Sequence, residues 1–168
     1  MIRVLTQNII LFFTVILLQL FVFNHIQLNG LIIPYFYVLL LLLLPFDISK
    51  SMLLFVGFVL GIIIDIFSFT PGLHAAACTF AAAVRPTILE WFAPRDGYES
   101  GTLPRISYFG LAWFIKYSFV LIMAHHIFLF FLEVSTFHGF FSTLFRAIAS
   151  SIFTLTLVTV SQFFIFRK

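Results

Sequence analysis

The side chains that could do chemistry in this chain are few, and most stand inside apolar runs. Asp65 follows Gly57 and Gly61 at four-residue spacing. The three therefore share one side of a helix, the glycines opening it to close approach and the carboxylate lying one turn further on. Past a Ser-Phe-Thr-Pro-Gly turn that ends at Gly72, His74 opens a second helix, on which Ala77, Ala81 and Arg85 repeat the spacing. An ionised side chain at bilayer depth costs about 3 kcal/mol unless it is paired. Asp65 is thus expected to have a partner, either His74 beside the turn or Arg146, two turns into the last apolar run. Two roles are open for such a carboxylate: a proton or ion site, or a clasp locking the third and fourth helices to the last.

The remaining ionisable residues have plainer expectations. Arg85 is placed nearer the cytoplasmic side, where its stem can carry the guanidinium to lipid headgroups, to Glu90 or to another chain. Lys116 and Arg146 read as snorkelling side chains in the same way. His125 and His126, with Glu133 and His138 beyond, form the one cluster of metal-ligand residue types. Adjacent helical residues point about 100° apart and do not make the i, i+4 histidine pair of a helical zinc site. Interfacial histidines facing water are expected, with no metal. Ser150 and Ser151 have no base beside them and are expected to bond back into their own helix. The sequence contains no HExxH, GxSxG, P-loop or GxGxxG, and no apolar run holds two carboxylates that could divide acid and base roles. Neither catalysis nor a cofactor is expected.

The elements that carry these residues are fixed by composition. Of 168 residues, 62% are hydrophobic, 26 are Phe and only 9% are charged, against about 25% charged in soluble domains, so the chain reads as an all-α polytopic membrane protein. The net charge of +3 is spread singly between apolar runs and is no nucleic-acid footprint. Cys78 lies within the alanine-rich run as a small packing residue. Apolar runs at 8–23, 31–44, 51–67, 73–92, 106–132 and 140–166 predict six spans in one transmembrane domain covering residues 1–168. The polar stretch 93–105, with two prolines and two glycines, is the exposed loop.

The second run, closed by Pro45, is of a length at which a re-entrant helix competes with a span, and charge placement decides between them. With six crossings and a cytoplasmic N-terminus, Arg3, Lys50, Arg95, Arg105, Arg167 and Lys168 all fall inside and no Lys or Arg falls in an outer loop. Both ends are expected in the cytoplasm. Trp91, Tyr98, Tyr108 and Trp113 bracket the 93–105 loop as an interfacial belt, with Tyr35 and Tyr37 at the opposite surface. The leucine run 39–44 reads as hydrocarbon-facing filler.

In Pro45, Gly57-x3-Gly61-x3-Asp65, Gly72, His74-Ala75-Ala76 and Arg85, the chain resembles the rod shape-determining MreD family of small bacterial inner-membrane proteins. The motif covers residues 45–85, and the six-span layout extends the likeness. The resemblance implies a non-catalytic subunit of the cell-elongation machinery that supports lateral peptidoglycan synthesis. Its implied partners are an MreC-like bitopic protein and, through it, MreB, RodA and penicillin-binding protein 2, together with membrane lipid. A rival of another class is the substrate-binding subunit of an energy-coupling factor type vitamin transporter. Such a subunit is expected to offer an outward polar pocket, and here the outer side supplies only scattered Asn24, His25, Gln27, Asn29, Thr70, His125, His126 and His138.

Overall fold

The computed structural model describes residues 2–26, 32–99, 102–135 and 139–165. Gln27, Asn29, His138 and the tail Arg167 and Lys168 lie outside the described residues, as does the side chain of Arg3. The helices are α1 (Ile2–Phe21), α2 (Val38–Leu43), α3 (Lys50–Ser68), α4 (Leu73–Trp91), α5 (Ile106–Phe109), α6 (Leu111–Val134) and α7 (Phe140–Ile165), with a 3-10 turn at Phe23–His25. Among the described residues, α1, α3, α6 and α7 are long and apolar enough to cross a membrane. α4 is as long as α3 but carries Arg85 and Glu90, and it lies in the middle of the bundle, packed against both α3 and α6.

The predicted boundaries of the third, fourth and sixth runs fall within one residue of α3, α4 and α7. The fifth run is interrupted: α5 stops at Gly110, whose φ of 80° and ψ of 165° no helix accommodates, and α6 starts afresh at Leu111. The second run departs most from expectation. Only Val38–Leu43 is helical, residues 32–37 are irregular, and Tyr35 through Leu44 are all buried. The leucines that hydropathy assigned to lipid are core. Pro34 pushes Ile33 towards extended backbone and so bars a helix from starting earlier than residue 34, while residues 34–37 are held irregular by bonds to other elements.

Contacts along this segment fix its direction. Tyr37 meets His74 at one end and Leu44 meets Arg85 at the other, so residues 37–44 run in the same sense as α4. Against α6 they run oppositely, Tyr37 meeting His125 and Leu42 meeting Tyr117. The α6 and α7 helices are antiparallel, with His126 facing Thr154 and Glu133 facing Arg146. α3 and α4 form a tight antiparallel hairpin. A Cβ built on Gly57 would lie 2.9 Å from the Cys78 carbonyl oxygen and 3.0 Å from the Ala82 Cβ, and one on Gly61 would run into the backbone of His74 and Ala75. The two glycines therefore set how closely the helices approach.

Candidate functional site: a clasped hairpin and a buried irregular segment

Asp65 is buried at the last turn of α3. Its Oδ1 accepts the backbone N–H of His74 and the hydroxyl of Thr70, each at 2.9 Å, and its Oδ2 accepts the backbone N–H of Ala75 at 2.9 Å. The first N–H groups of any α-helix have no partner within it. Gly72, the cap residue of α4 at φ 85°, has no side chain to supply one. Asp65 supplies it from the neighbouring helix, and its negative charge also stands at the positive end of the α4 dipole. The backbone carbonyl of Asp65 accepts the N–H of Phe69 and of Thr70, closing α3 from the same residue.

This arrangement corrects the expected pairing. Neither the His74 imidazole nor Arg146 is the partner of the carboxylate. The His74 ring turns away to Tyr37, while Arg146 pairs with Glu133 at 3.5 Å and lies 4.7 Å over the Phe130 ring. Asp65 thus joins α3 to α4 and does not reach α7. The reason is geometric: a four-residue turn brings the amino end of α4 within reach of a short carboxylate.

Gly57 and Gly61 face Cys78, Ala82, His74 and Ala75. Ala77 and Ala81 are fully buried but occupy a different stripe of α4, in line with His74 and Arg85. The glycine-faced side of α3 therefore meets the backbone of His74, Ala75 and Cys78 and the Ala82 methyl, and not the Ala77 and Ala81 side chains.

Arg85 is 1% exposed, which overturns its placement at the headgroups. Its Nε donates to the Tyr117 hydroxyl at 3.0 Å and its Nη2 donates to the Leu44 carbonyl. Tyr117 in turn donates to the Leu42 carbonyl at 3.1 Å. These are the carbonyls that α2 leaves unpaired at its carboxyl end, where a helix carries partial negative charge. A cation closes α2 as an anion opens α4.

The irregular half of the segment is satisfied in the same manner. Gln19 of α1 donates to the Pro34 carbonyl at 3.1 Å and accepts the Tyr37 N–H at 3.4 Å. From α7, Ser150 accepts the Ile33 N–H at 3.2 Å and Thr154 accepts the Tyr35 N–H at 3.1 Å. Buried irregular backbone is tolerated only where other protein groups replace the missing hydrogen bonds, since each unsatisfied group costs about 1–3 kcal/mol. Ser150 consequently bonds outward to another element, contrary to expectation, and the buried hydroxyl of Ser151 finds no partner among the described residues.

Five aromatic rings with polar atoms, those of Tyr35, Tyr37, His74, His125 and His126, meet next to it. The Tyr37 hydroxyl lies 2.8 Å from His74 Nδ1 and 3.1 Å from His125 Nε2. It has one proton to donate, so one imidazole accepts from it and the other donates to it. His126 Nδ1 is 2.8 Å from the Ile122 carbonyl, an acceptor, so that nitrogen carries the proton. Its Nε2 then accepts the Thr154 hydroxyl at 3.2 Å. His125 and His126 are both fully buried, not water-facing as expected, and Tyr35 and Tyr37 are buried instead of lying in a surface belt. The Tyr35 ring fills the space between them, its centroid 5.3 Å from those of His74 and His126 and 6.0 Å from that of Phe130. Cys78 Sγ lies 3.9 Å from His125 Nε2.

The opposite end of the bundle matches the expected aromatic belt in part. Trp91 and Tyr108 are exposed, and Lys116 is exposed as a snorkelling residue would be. Tyr98 and Trp113 instead turn inward, donating to the Leu89 and Phe92 carbonyls, with Tyr98 stacked on Phe46 at 4.0 Å. Burial pushes the Tyr98 phenol up to about 12.

Gln19, Tyr37, Tyr117, Ser150 and Thr154 are the site residues that sequence reasoning missed. Their signal was present: a glutamine and a threonine within apolar spans, and a proline at the start of an apolar run. No family model, no curated protein and no solved structure matches this chain.

Proposed function

We propose that this chain is a non-catalytic subunit of a bacterial cell-elongation complex, resident in the inner membrane and supporting peptidoglycan synthesis through an MreC-like bitopic partner. MreB, RodA and penicillin-binding protein 2 are the further members with which that partner would connect it. The observation that carries the reading is the convergence of the motif. Gly57, Gly61, Asp65, Gly72 and His74, on which the likeness to the MreD family rests, all belong to one clasped hairpin, and Arg85 anchors the end of the preceding α2 to it.

Six crossings with both ends in the cytoplasm belong to the same reading. Residues 32–44 cover about 30 Å, at roughly 3.3 Å per extended residue and 1.5 Å per helical one, which matches the hydrocarbon thickness. The alternation of α3, α4, α6 and α7, with this segment parallel to α4, supports successive passes. The transporter alternative is disfavoured by Tyr35, whose ring occupies the space among His74, His126 and Phe130 where an outward pocket would open.

The test is affinity capture of the tagged chain from native membranes, combined with depletion in the cell of origin. Recovery of a bitopic partner and rounding of depleted cells are expected. Unchanged cell shape together with vitamin binding by the purified chain would move the assignment to the transporter class.

A further inference from the structure

The α3–α4 turn holds a bulky residue where the backbone favours glycine. Phe69, the residue that terminates α3, has φ 56° and ψ 39°, the left-handed conformation in which a side chain crowds its own carbonyl. Helices commonly end this way with Gly or Asn, and a phenylalanine there is strained. The residue is 91% exposed, so packing against the rest of the fold does little to offset that strain.

Its surroundings identify what covers it. Phe55, Ile66 and Phe67 are exposed on α3, with Leu53, Gly57, Leu60, Gly61, Ile64 and Asp65 buried on the other side. Phe69 extends that outward apolar row past the helix end. α3 has 19 residues, about 28 Å of helix, so its end falls at the edge of a hydrocarbon layer about 30 Å thick. Residues 66–73 contain no charged side chain that would pull the turn into water.

We propose that Phe69 is a bilayer anchor. Its ring enters the boundary between lipid headgroups and acyl chains of the leaflet at this turn and fixes the depth at which the hairpin, and with it the Asp65 clasp, is held. The strained backbone keeps the ring on the lipid side, and the clasp through Thr70 and Asp65 holds the turn in that shape. The occupant is lipid, and this assignment is independent of the cell-elongation reading.

The experiment places a fluorophore at the position, as Phe69→Trp in a Trp91→Phe, Trp113→Phe background, in phosphatidylcholine and phosphatidylglycerol vesicles. Strong quenching by lipids brominated high on the acyl chain is expected, with weaker quenching by lipids brominated near the chain end and little by aqueous iodide. Dominant iodide quenching would overturn the proposal by placing the ring in water. Protection from every quencher would overturn it by showing that protein covers the ring. Phe69→Gly in the otherwise native chain gives an independent readout. A higher melting temperature in detergent is expected because the left-handed strain is relieved, whereas a lower one would mean that the ring packs on its own fold and is no anchor.

Discussion

The Asp65 carboxylate and the His74 backbone N–H, nine residues apart and on different helices, are joined by a 2.9 Å hydrogen bond. With the bond from Ala75, this makes the end of one helix the cap of the next. The usual division of labour, in which each helix starts with its own Ser, Thr, Asp or Asn, is replaced here because Gly72 is needed for its positive φ. Asp65 therefore couples the end of α3 directly to the start of α4, in addition to the close packing at Gly57 and Gly61.

Replacing Asp65 by Ala strands two buried N–H donors and is expected to cost about 2 to 6 kcal/mol, at roughly 1–3 kcal/mol per unsatisfied group. Asp65→Asn retains one acceptor oxygen and should lose less. Thermal unfolding in detergent distinguishes them. Equal losses for the two variants would mean that the charge at the α4 dipole, and not the hydrogen bonding, sets the effect.

Gly61→Ala should be more damaging than Gly57→Ala. The methyl group at Gly61 meets the α4 backbone, which cannot yield without separating the helices, whereas at Gly57 the contacts of 2.9 and 3.0 Å are slightly looser and include the Ala82 methyl. Overpacking of this kind costs about 1–3 kcal/mol. The melting temperatures of the two variants should therefore fall in that order, and the reverse order would contradict the close approach at Gly61.

Arg85 and Tyr117 act on the same carbonyl end of α2, so their energies should not add. Arg85→Met, Tyr117→Phe and the double variant form a cycle with an expected coupling of about 1 kcal/mol or more. Arg85→Met alone is the severe change, since it releases the Leu44 carbonyl in the core and removes the cation from the helix end. A coupling near zero in unfolding experiments would mean that the Nε bond to Tyr117 contributes nothing beyond packing.

The part of this design legible in the sequence was the part written at helical spacing. Gly57, Gly61 and Asp65 on one face, and the turn before His74, follow from four-residue repeats, and they are found where the repeats place them. The partner of Asp65 was not legible, because backbone N–H groups leave no trace in residue types. Leu39–Leu44 misled for a different reason: lipid tails and a protein core are equally apolar, so hydropathy cannot tell a lipid-facing leucine from a buried one. His125, His126 and Arg85 were assigned to surfaces because polarity usually means water. Here they serve the buried segment 33–44, Arg85 at its Leu44 carbonyl, His125 at the Tyr37 hydroxyl and His126 through Thr154.

That irregular backbone yields the most local of the tests. Gln19 is fully buried and serves both the Pro34 carbonyl and the Tyr37 N–H. Gln19→Leu removes both partners while keeping an apolar side chain of similar size in α1, and Thr154→Val does the same for the Tyr35 N–H and for His126. Hydrogen exchange in lipid nanodiscs should show the Tyr37 amide accelerating in the first variant and the Tyr35 amide in the second. The amides of Leu42 and Leu43, bonded within α2, should keep their protection in both. If the whole of residues 33–44 accelerated together in either variant, the segment would be held as one piece, and the side chains of α1 and α7 would not be acting as separate anchors.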